Sequence, residues 1–494
     1  MKICLMCDLH LPENKSALSY DVCEWAMRDI KKEKPDCVLF AGDVTCFGDY
    51  RVYRDFIRKM QTLPMPFLYI PGNSDLRRSD TKKAIARDCS PAENTVCGIR
   101  IIAVNDCGRT IDKITQNALE TADKNTVVFM HHPADELLPP YSDYMRKWLK
   151  YHTDTPIFCG HMHVSKKDGN ITYLQCADPD KAMGSCAAIT YYNTETEEIT
   201  ESFYECPVPD DIYKYIGISC YRPERDFAFA AKHGIKNTEL RPNVILYDKK
   251  EILSLAEKWR KVGGEHICVH LPEIEYRDGK IINNGSLDKI LKLAADIGAD
   301  RFTQHVPLAR VCDIEKDDGA LGRIAEYLAE KLGSFGKSAV LGVENMHMVP
   351  GETTDKRRRF GYTPEECLRF MNALSSATHC KTGINFDIGH ARNNAPFSSM
   401  YQISTWFAML GKHTVGYHIH QVTKCGELFE NHMPITDFYG SLISFGSFFK
   451  CWSDGRINKA PVIFEMRPEN AYDVTLNTFN IGKHGQNTQN FREN

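Results

Sequence analysis

Asp36-Cys37-Val38-Leu39-Phe40-Ala41-Gly42-Asp43 is the stretch that decides the fold of the first half of the chain. The apolar run between the two aspartates reads as a buried strand. Gly42 lets the backbone turn tightly, so Asp43 emerges at the strand's carboxyl end. The same construction recurs along the chain. Lys2 to Cys7 leads to Asp8 and His10, whose spacing of two places both on one side of the strand. Phe67 to Ile70 delivers Asn73, Val127 to Met130 delivers His131 with His132 beside it, and Ile157 to Cys159 delivers His161 and His163. Carboxyl ends of strands in α/β sheets share an edge where ligands bind, so these side chains are expected to converge. Imidazole and carboxylate donors suit Mn, Fe and Zn. Two such ions about 3.5–4 Å apart clamp both oxygens of a phosphoryl displacement. A pair of ions needs a shared carboxylate, and Asp43 supplies one.

Taken together and in order, Asp8-Leu9-His10, Gly42-Asp43, Gly72-Asn73-Ser74-Asp75, His131-His132-Pro133 and Gly160-His161-Met162-His163 resemble the calcineurin-like metallophosphoesterases over residues 1–205. The resemblance implies an α/β sandwich holding two divalent ions, Mn, Fe or Zn. Asp8, His10, Asp43 and His163 would hold one ion, and Asp43, Asn73, His131 and His161 the other. Asp43 and Asn73 would then be catalytic, acting on a phosphomonoester or phosphodiester. One position departs from the pattern: many members carry His after the metal-binding Asn, as a proton donor to the leaving group, and this chain has Ser74.

From about Tyr213 the rhythm changes. Strand-like segments at 215–221, 235–241, 266–272, 301–307, 339–345, 383–390, 415–422 and 461–467 alternate with amphipathic windows such as 249–262, 286–297, 320–332 and 364–376. The last window opens with Thr363-Pro364-Glu365-Glu366, a capping box with Pro at the first helical position. Eight β/α units predict a (β/α)8 TIM barrel over 213–480, whose active site lies at the carboxyl ends of its strands. Those ends carry Glu239, His270, His305, Glu344, Asp387 with His390, His418 with His420, and Glu465, while Glu430-Asn431-His432 follows the seventh strand. Carboxylates after apolar strands are costly to bury unless paired, protonated or coordinated. Such a ring therefore points to metal or polyol binding. His420 is left open, facing either the mouth or the helical layer.

Val343-Glu344-Asn345, Phe386-Asp387-Ile388-Gly389-His390, Tyr417-His418-Ile419-His420 and Phe464-Glu465-Met466-Arg467 resemble the xylose-isomerase-like TIM barrels, a superfamily of sugar isomerases and epimerases that also includes the endonuclease IV class. In the sugar-acting branch the resemblance implies that Glu344, Asp387, His418 and Glu465 hold one divalent ion, with Glu344 and Glu465 moving a proton beside a carbonyl. In the nuclease branch His270, His305, His390, Glu430 and His432 join them around three ions. The expectation favoured is isomerisation or epimerisation of a sugar or sugar phosphate. Nucleic-acid processing is the alternative, and a ligand-binding barrel that regulates the phosphoesterase is a third reading. Within Lys356-Arg357-Arg358-Arg359, Arg357 and Arg358 are candidate phosphate contacts, weighed against an ordinary solvated loop.

Composition narrows the partners. With 61 basic against 65 acidic residues and a net charge of -4, the chain lacks the positive bias of a protein bound mainly through a phosphate backbone. A small phosphorylated substrate fits better. No apolar run reaches the length of a membrane span. The first strand begins almost at once, which leaves no room for a signal peptide, so a cytoplasmic location is expected. The 19 cysteines follow no disulfide or zinc framework and are expected to be reduced and buried. A linker is expected at 206–212, where Cys206-Pro207-Val208-Pro209-Asp210-Asp211 stiffens the chain, and a frayed tail at 481–494.

Overall fold

The computed structural model describes residues 1–282, 285–425, 428–440 and 442–484; the expected tail beyond 484 lies outside the described residues. The chain forms two compact units. One is Met1–Pro207 together with Asp437–Phe448, and the other is Val208–Thr436 together with Phe449–Asn494.

The first unit has strands β1 (Lys2–Met6), β2 (Cys37–Ala41), β3 (Phe67–Ile70), β4 (Glu93–Val96), β5 (Ile99–Val104) and β6 (Thr126–Met130). They are followed by β7 (Ile157–Cys159), β8 (Lys166–Asp168), β9 (Ile171–Tyr173), β10 (Ala188–Asn193) and β11 (Ile199–Phe203). One sheet runs β11-β10-β1-β2-β3 and the other β4-β5-β6-β7-β9-β8. β2 is buried along its whole length and lies between β1 and β3, parallel to both. The two-residue period of a strand sorts its side chains. Val38 and Phe40, with Cys4 and Met6 of β1, pack on helical residues such as Val22, Ala26, Ile30 and Phe56. Cys37, Leu39 and Ala41 face the other way and meet Ile101, Ala103, Val127 and Phe129 of the second sheet. Two sheets face to face with helices outside make an α/β sandwich, and β1, β2, β3, β6 and β7 all end in expected ligands.

The second unit contains β12 (Ile216–Cys220), β13 (Asn237–Leu240), β14 (His266–His270), a hairpin of β15 (Glu275–Arg277) and β16 (Lys280–Ile282), β17 (Arg301–His305) and β18 (Val340–Glu344). Next come β19 (Lys381–Asp387), β20 (Thr414–Ile419), a second hairpin of β21 (Gln421–Cys425) and β22 (Leu428–Met433), and β23 (Val462–Phe464). β12-β13-β14-β17-β18-β19-β20-β23 close a barrel in which every neighbouring pair is parallel. Gly217 and Gly342 allow close approach inside it, because a Cβ at either would lie 2.8 Å from the Cβ of Asn237 or Asn385.

All eight expected barrel strands prove shorter, and two of them end for an identifiable reason. The segment 383–390 stays extended only to Asp387, whose carboxylate accepts the His390 N–H at 2.6 Å and starts the helix Ile388–Arg392. Asp is a strong helix cap, and here that preference overrides the apolar run. The segment 415–422 divides at His420 into a barrel strand and the hairpin strand β21. The expected helices form at Lys249–Lys261, Ser286–Ile297, Ala320–Lys331 and Pro364–Ala377.

Candidate metal centres

Backbone geometry marks the first centre before any side chain is considered. Asp8, His10, Asp43, His161 and His163 all have positive φ, between 46° and 69°. Residues with a side chain avoid this region unless their surroundings determine it, and such strain clusters at functional sites. At Gly42, whose φ is +87°, an added Cβ would lie 2.5 Å from His131 Nδ1, so the imidazole rests directly on the backbone.

Asp43 is the pivot of the centre. Its Oδ1 lies 3.5 Å from His131 Nε2 and its Oδ2 lies 3.9 Å from His10 Nε2. On one side, His10 Nε2 is 3.3 Å from His163 Nε2, while Asp8 Oδ1 lies 3.8 Å and 3.4 Å from them. On the other, His131 Nε2 faces Asn73 Oδ1 at 3.0 Å. The His131 and His161 rings lie 5.1 Å apart. All seven residues expected in this centre therefore lie around one point. Asp8 Oδ1 is buried without a hydrogen-bond partner. An unpaired buried carboxylate oxygen ringed by imidazoles fits a divalent cation.

Neighbours outside the expected set hold these ligands. His131 Nδ1–H donates to the Ala41 carbonyl at 2.9 Å, which turns Nε2 inward. Asp106 accepts the backbone N–H groups of His131 and His132 at 3.1 and 2.7 Å. Asp75 accepts from Val44, Thr45 and Gly72, and burial followed by the nearby Asp43 charge raises its pKa to about 6. His161 Nε2 lies 3.0 Å from Glu136 Oε2. Burial would depress His131, but Asp43, Asp8 and Asp106 outweigh it and raise the imidazole to about 9. Ser74 is buried; its N–H and Oγ–H both donate to Asp43, at 2.7 and 2.8 Å. It therefore orients the pivot carboxylate rather than facing a leaving group.

In the barrel, Glu344, Asp387, His418 and Glu465 are buried and place one ligand atom each within 4.8 Å of one another. His418 Nδ1 lies 2.7 Å from Glu465 Oε2, 3.2 Å from Glu344 Oε1 and 4.0 Å from Asp387 Oδ2. None of these four atoms has a hydrogen-bond partner. The four fit a divalent cation on the same ground as the first centre. Two further groups adjoin them: His270 and His305 with Glu344, and His390 with His420 and His432. Glu344 is common to two groups, with Oε2 3.2 Å from His270 Nε2 and Oε1 3.4 Å from His305 Nε2. Burial would raise Glu344 and Asp387, but surrounding imidazoles outweigh it. They hold Glu344 well below the usual carboxylate range and Asp387 at about 2.

The placement of Glu430 differs from the expectation. It is exposed on β22 while His432 is buried, and His420, left open by its parity, is buried beside His390 and His432. The phosphate-contact expectation meets side chains already engaged. Buried Arg358 forms a two-pronged pair with Glu366 at 2.5 and 3.0 Å, and exposed Arg357 pairs with Asp355 at 2.6 Å.

Glu239 is the barrel residue omitted from the expected ligand set. Its carboxylate receives His418 Nε2–H at 3.0 Å and the Thr303 hydroxyl at 2.8 Å, and pairs with Arg241 at 3.1 Å. Arg241 also holds Glu465 Oε1 at 2.8 Å. Glu239 thus fixes the proton on Nε2 and leaves Nδ1 as the ligand atom. Its place at a strand end was legible in the sequence, but its position behind His418 was not.

Residues 1–165 match the calcineurin-like phosphoesterase family. Over 166 residues the chain is 26% identical to a Xenorhabdus bovienii protein named "Probable cyclic nucleotide phosphodiesterase", covering 29% of this chain and 67% of that one. Over 158 residues it is 26% identical to an Arcobacter nitrofigilis protein named "Probable glycerophosphodiester phosphodiesterase", covering 27% of this chain and 58% of that one. The match therefore spans little more than half of the second relative. Among solved structures, a D-tagatose 3-epimerase-like protein is 16% identical with a TM-score of 0.38, covering 55% of this chain and 98% of that one. The N-terminal third of the chain, residues 1–165, carries a calcineurin-like phosphoesterase domain.

Proposed function

We propose that the first unit hydrolyses a small phosphate ester at a two-ion centre, and that the barrel is a second metal-dependent centre acting on a phosphorylated substrate. The observation that carries the first part is Asp43, whose two oxygens face the two halves of the histidine cluster while Ser74 fixes its orientation. When bound, the ions supply Lewis acidity and charge stabilisation to the phosphoryl group. The chain's own residues prepare that chemistry. Asp8, His10 and His163 line one half, and Asn73, His131 and His161 the other. The Ala41 carbonyl fixes the His131 ring and Asp106 holds its backbone.

With Ser74 committed to Asp43, no histidine stands at that position to protonate a departing alkoxide. Esters with acidic leaving groups are therefore the preferred substrates. The test is hydrolysis of bis(4-nitrophenyl) phosphate and of an alkyl phosphodiester by wild type and Asp43→Asn. The proposal expects turnover of the first, far slower turnover of the second, and loss of both in the variant. Undiminished activity in Asp43→Asn would overturn it.

For the barrel, isomerisation or epimerisation of a sugar phosphate needs Glu344 and Glu465 as proton carriers. A specific observation favours phosphodiester cleavage instead. Glu344 has both oxygens among His270, His305 and His418, and Glu465 has one oxygen on Arg241 and the other on His418. Carboxylates with one oxygen held by a neighbour and the other facing a ligand imidazole serve as metal ligands better than as mobile bases. Incubation with an abasic duplex and with aldose and ketose phosphates separates the two. Strand cleavage abolished by Glu344→Gln supports the nuclease reading, and sugar interconversion abolished by the same change supports the isomerase.

A further inference from the structure

Asp437–Phe448 belongs to the first unit although nearly all of the barrel precedes it in the chain. Its contacts there are concentrated on the loop 178–186. The Tyr439 carbonyl accepts the Gly184 N–H at 2.9 Å. The Tyr439 hydroxyl lies 2.8 Å from Cys186 Sγ and donates to the Cys206 carbonyl at 3.1 Å. At the other end of the loop, Ser444 Oγ–H donates to the Pro179 carbonyl at 2.8 Å. From the opposite side the Gln175 amide donates to the carbonyls of Met183, Ser185 and Cys186 at 3.1–3.2 Å.

What this loop holds is part of the metal centre. The Met183 N–H donates to the His163 carbonyl at 2.9 Å, and His163 sits at a φ of +58°. Such a backbone persists only where its surroundings determine it. The segment thus grips both ends of a loop that hydrogen-bonds the backbone of one ligand.

We propose that Tyr439 and Ser444 are positioning residues of the phosphoesterase centre, completing it from the far end of the chain by holding loop 178–186 against His163. The inference rests on the phosphoesterase reading of the first unit. It follows that the first metal centre is not fully encoded by residues 1–207, and that Tyr439 acts without touching a substrate.

The test uses the full-length chain carrying Tyr439→Ala with Ser444→Ala, and separately Tyr439→Phe. Metal affinity of each centre is read by titration with a graded chelator, alongside kcat and KM for bis(4-nitrophenyl) phosphate. The double variant should lose about tenfold or more in metal affinity at the first centre, as expected for a lost ligand support. Its KM should rise, with the barrel ions retained as evidence that the chain is folded. Tyr439→Phe keeps the ring and loses only the hydroxyl contacts to Cys186 and Cys206, and should show the same change in smaller measure. Wild-type affinity and kinetics in both variants would overturn the inference. A wild-type protein that binds no ion in its first unit, or leaves the diester intact, would instead overturn the reading beneath it.

Discussion

Single residues carry most of the account's detail, and the clearest test at this scale is Glu239. It is buried, touches the back of His418 and is expected to ligate nothing. Glu239→Gln should lower metal affinity in the barrel by about 10–100-fold, the usual effect of losing a support behind a histidine ligand. Metal titration of the variant checks this, and unchanged affinity would count against the role. A second test concerns pH. At the barrel surface His266 Nδ1 pairs with Asp300 at 2.6 Å, and that hydrogen bond is the largest cause of a raised His266 pKa. A histidine raised on folding contributes stability in full below its unfolded value of about 6.5 and loses it as pH climbs through the folded value. Asp300→Asn should therefore lower Tm at pH 5.5 and match wild type at pH 9. Because both side chains are 44% exposed, screening keeps the contribution under about 1 kcal/mol. An equal deficit at both pH values would contradict the assignment.

The residues legible in the sequence were those at strand ends, because a polar group after an apolar run has few reasons to be there. Asp8, Asp43, His131, Glu344 and Asp387 were found that way. Asp75, Asp106, Glu136 and Glu239 support them through contacts between segments distant in sequence, and no local pattern announces such contacts. Glu430 and His420 show the opposite difficulty. Parity along a strand assigned His420 ambiguously, and the irregular pairing of β21 with β22 left Glu430 outward and His432 inward.

At the scale of elements, the helix Pro364–Ala377 shows how a motif gains a second use. Thr363 caps it, accepting the Glu366 N–H at 3.4 Å. Glu366 is put to another use: its carboxylate takes the Gly361 and Tyr362 N–H groups at 2.7 and 3.0 Å and closes a buried pair with Arg358. Arg358→Ala leaves that carboxylate uncompensated and should cost about 3–5 kcal/mol, against about 1 kcal/mol for Thr363→Ala. Denaturant unfolding distinguishes the two, and a cost for Arg358→Ala no greater than for Thr363→Ala would contradict the buried pair. Read from sequence, the basic run was open to a phosphate role; burial and the position of Glu366 redirect Arg358 to the fold. The helix itself was legible because cap, proline and apolar period agree.

For the whole molecule, periodicity exposed the alternation of strands and helices in both halves, since it reflects local geometry. The contribution of Asp437–Phe448 to the first unit was not legible, because long-range association leaves no period in the sequence. Most of the described cysteines are buried, as composition suggested. Among the described residues no helix is long and apolar enough to cross a membrane.

The proposed function requires two metal centres in one chain, one pivoting on Asp43 and the other on the Glu344, Asp387, His418 and Glu465 group. Metal content per chain in wild type, Asp43→Asn and Asp387→Asn tests it most directly. Asp43→Asn should lose about two ions, the number a shared carboxylate serves, while the barrel keeps its own. Asp387→Asn should do the reverse. Metal content unchanged by either substitution, or lost from both centres together by each, would contradict it.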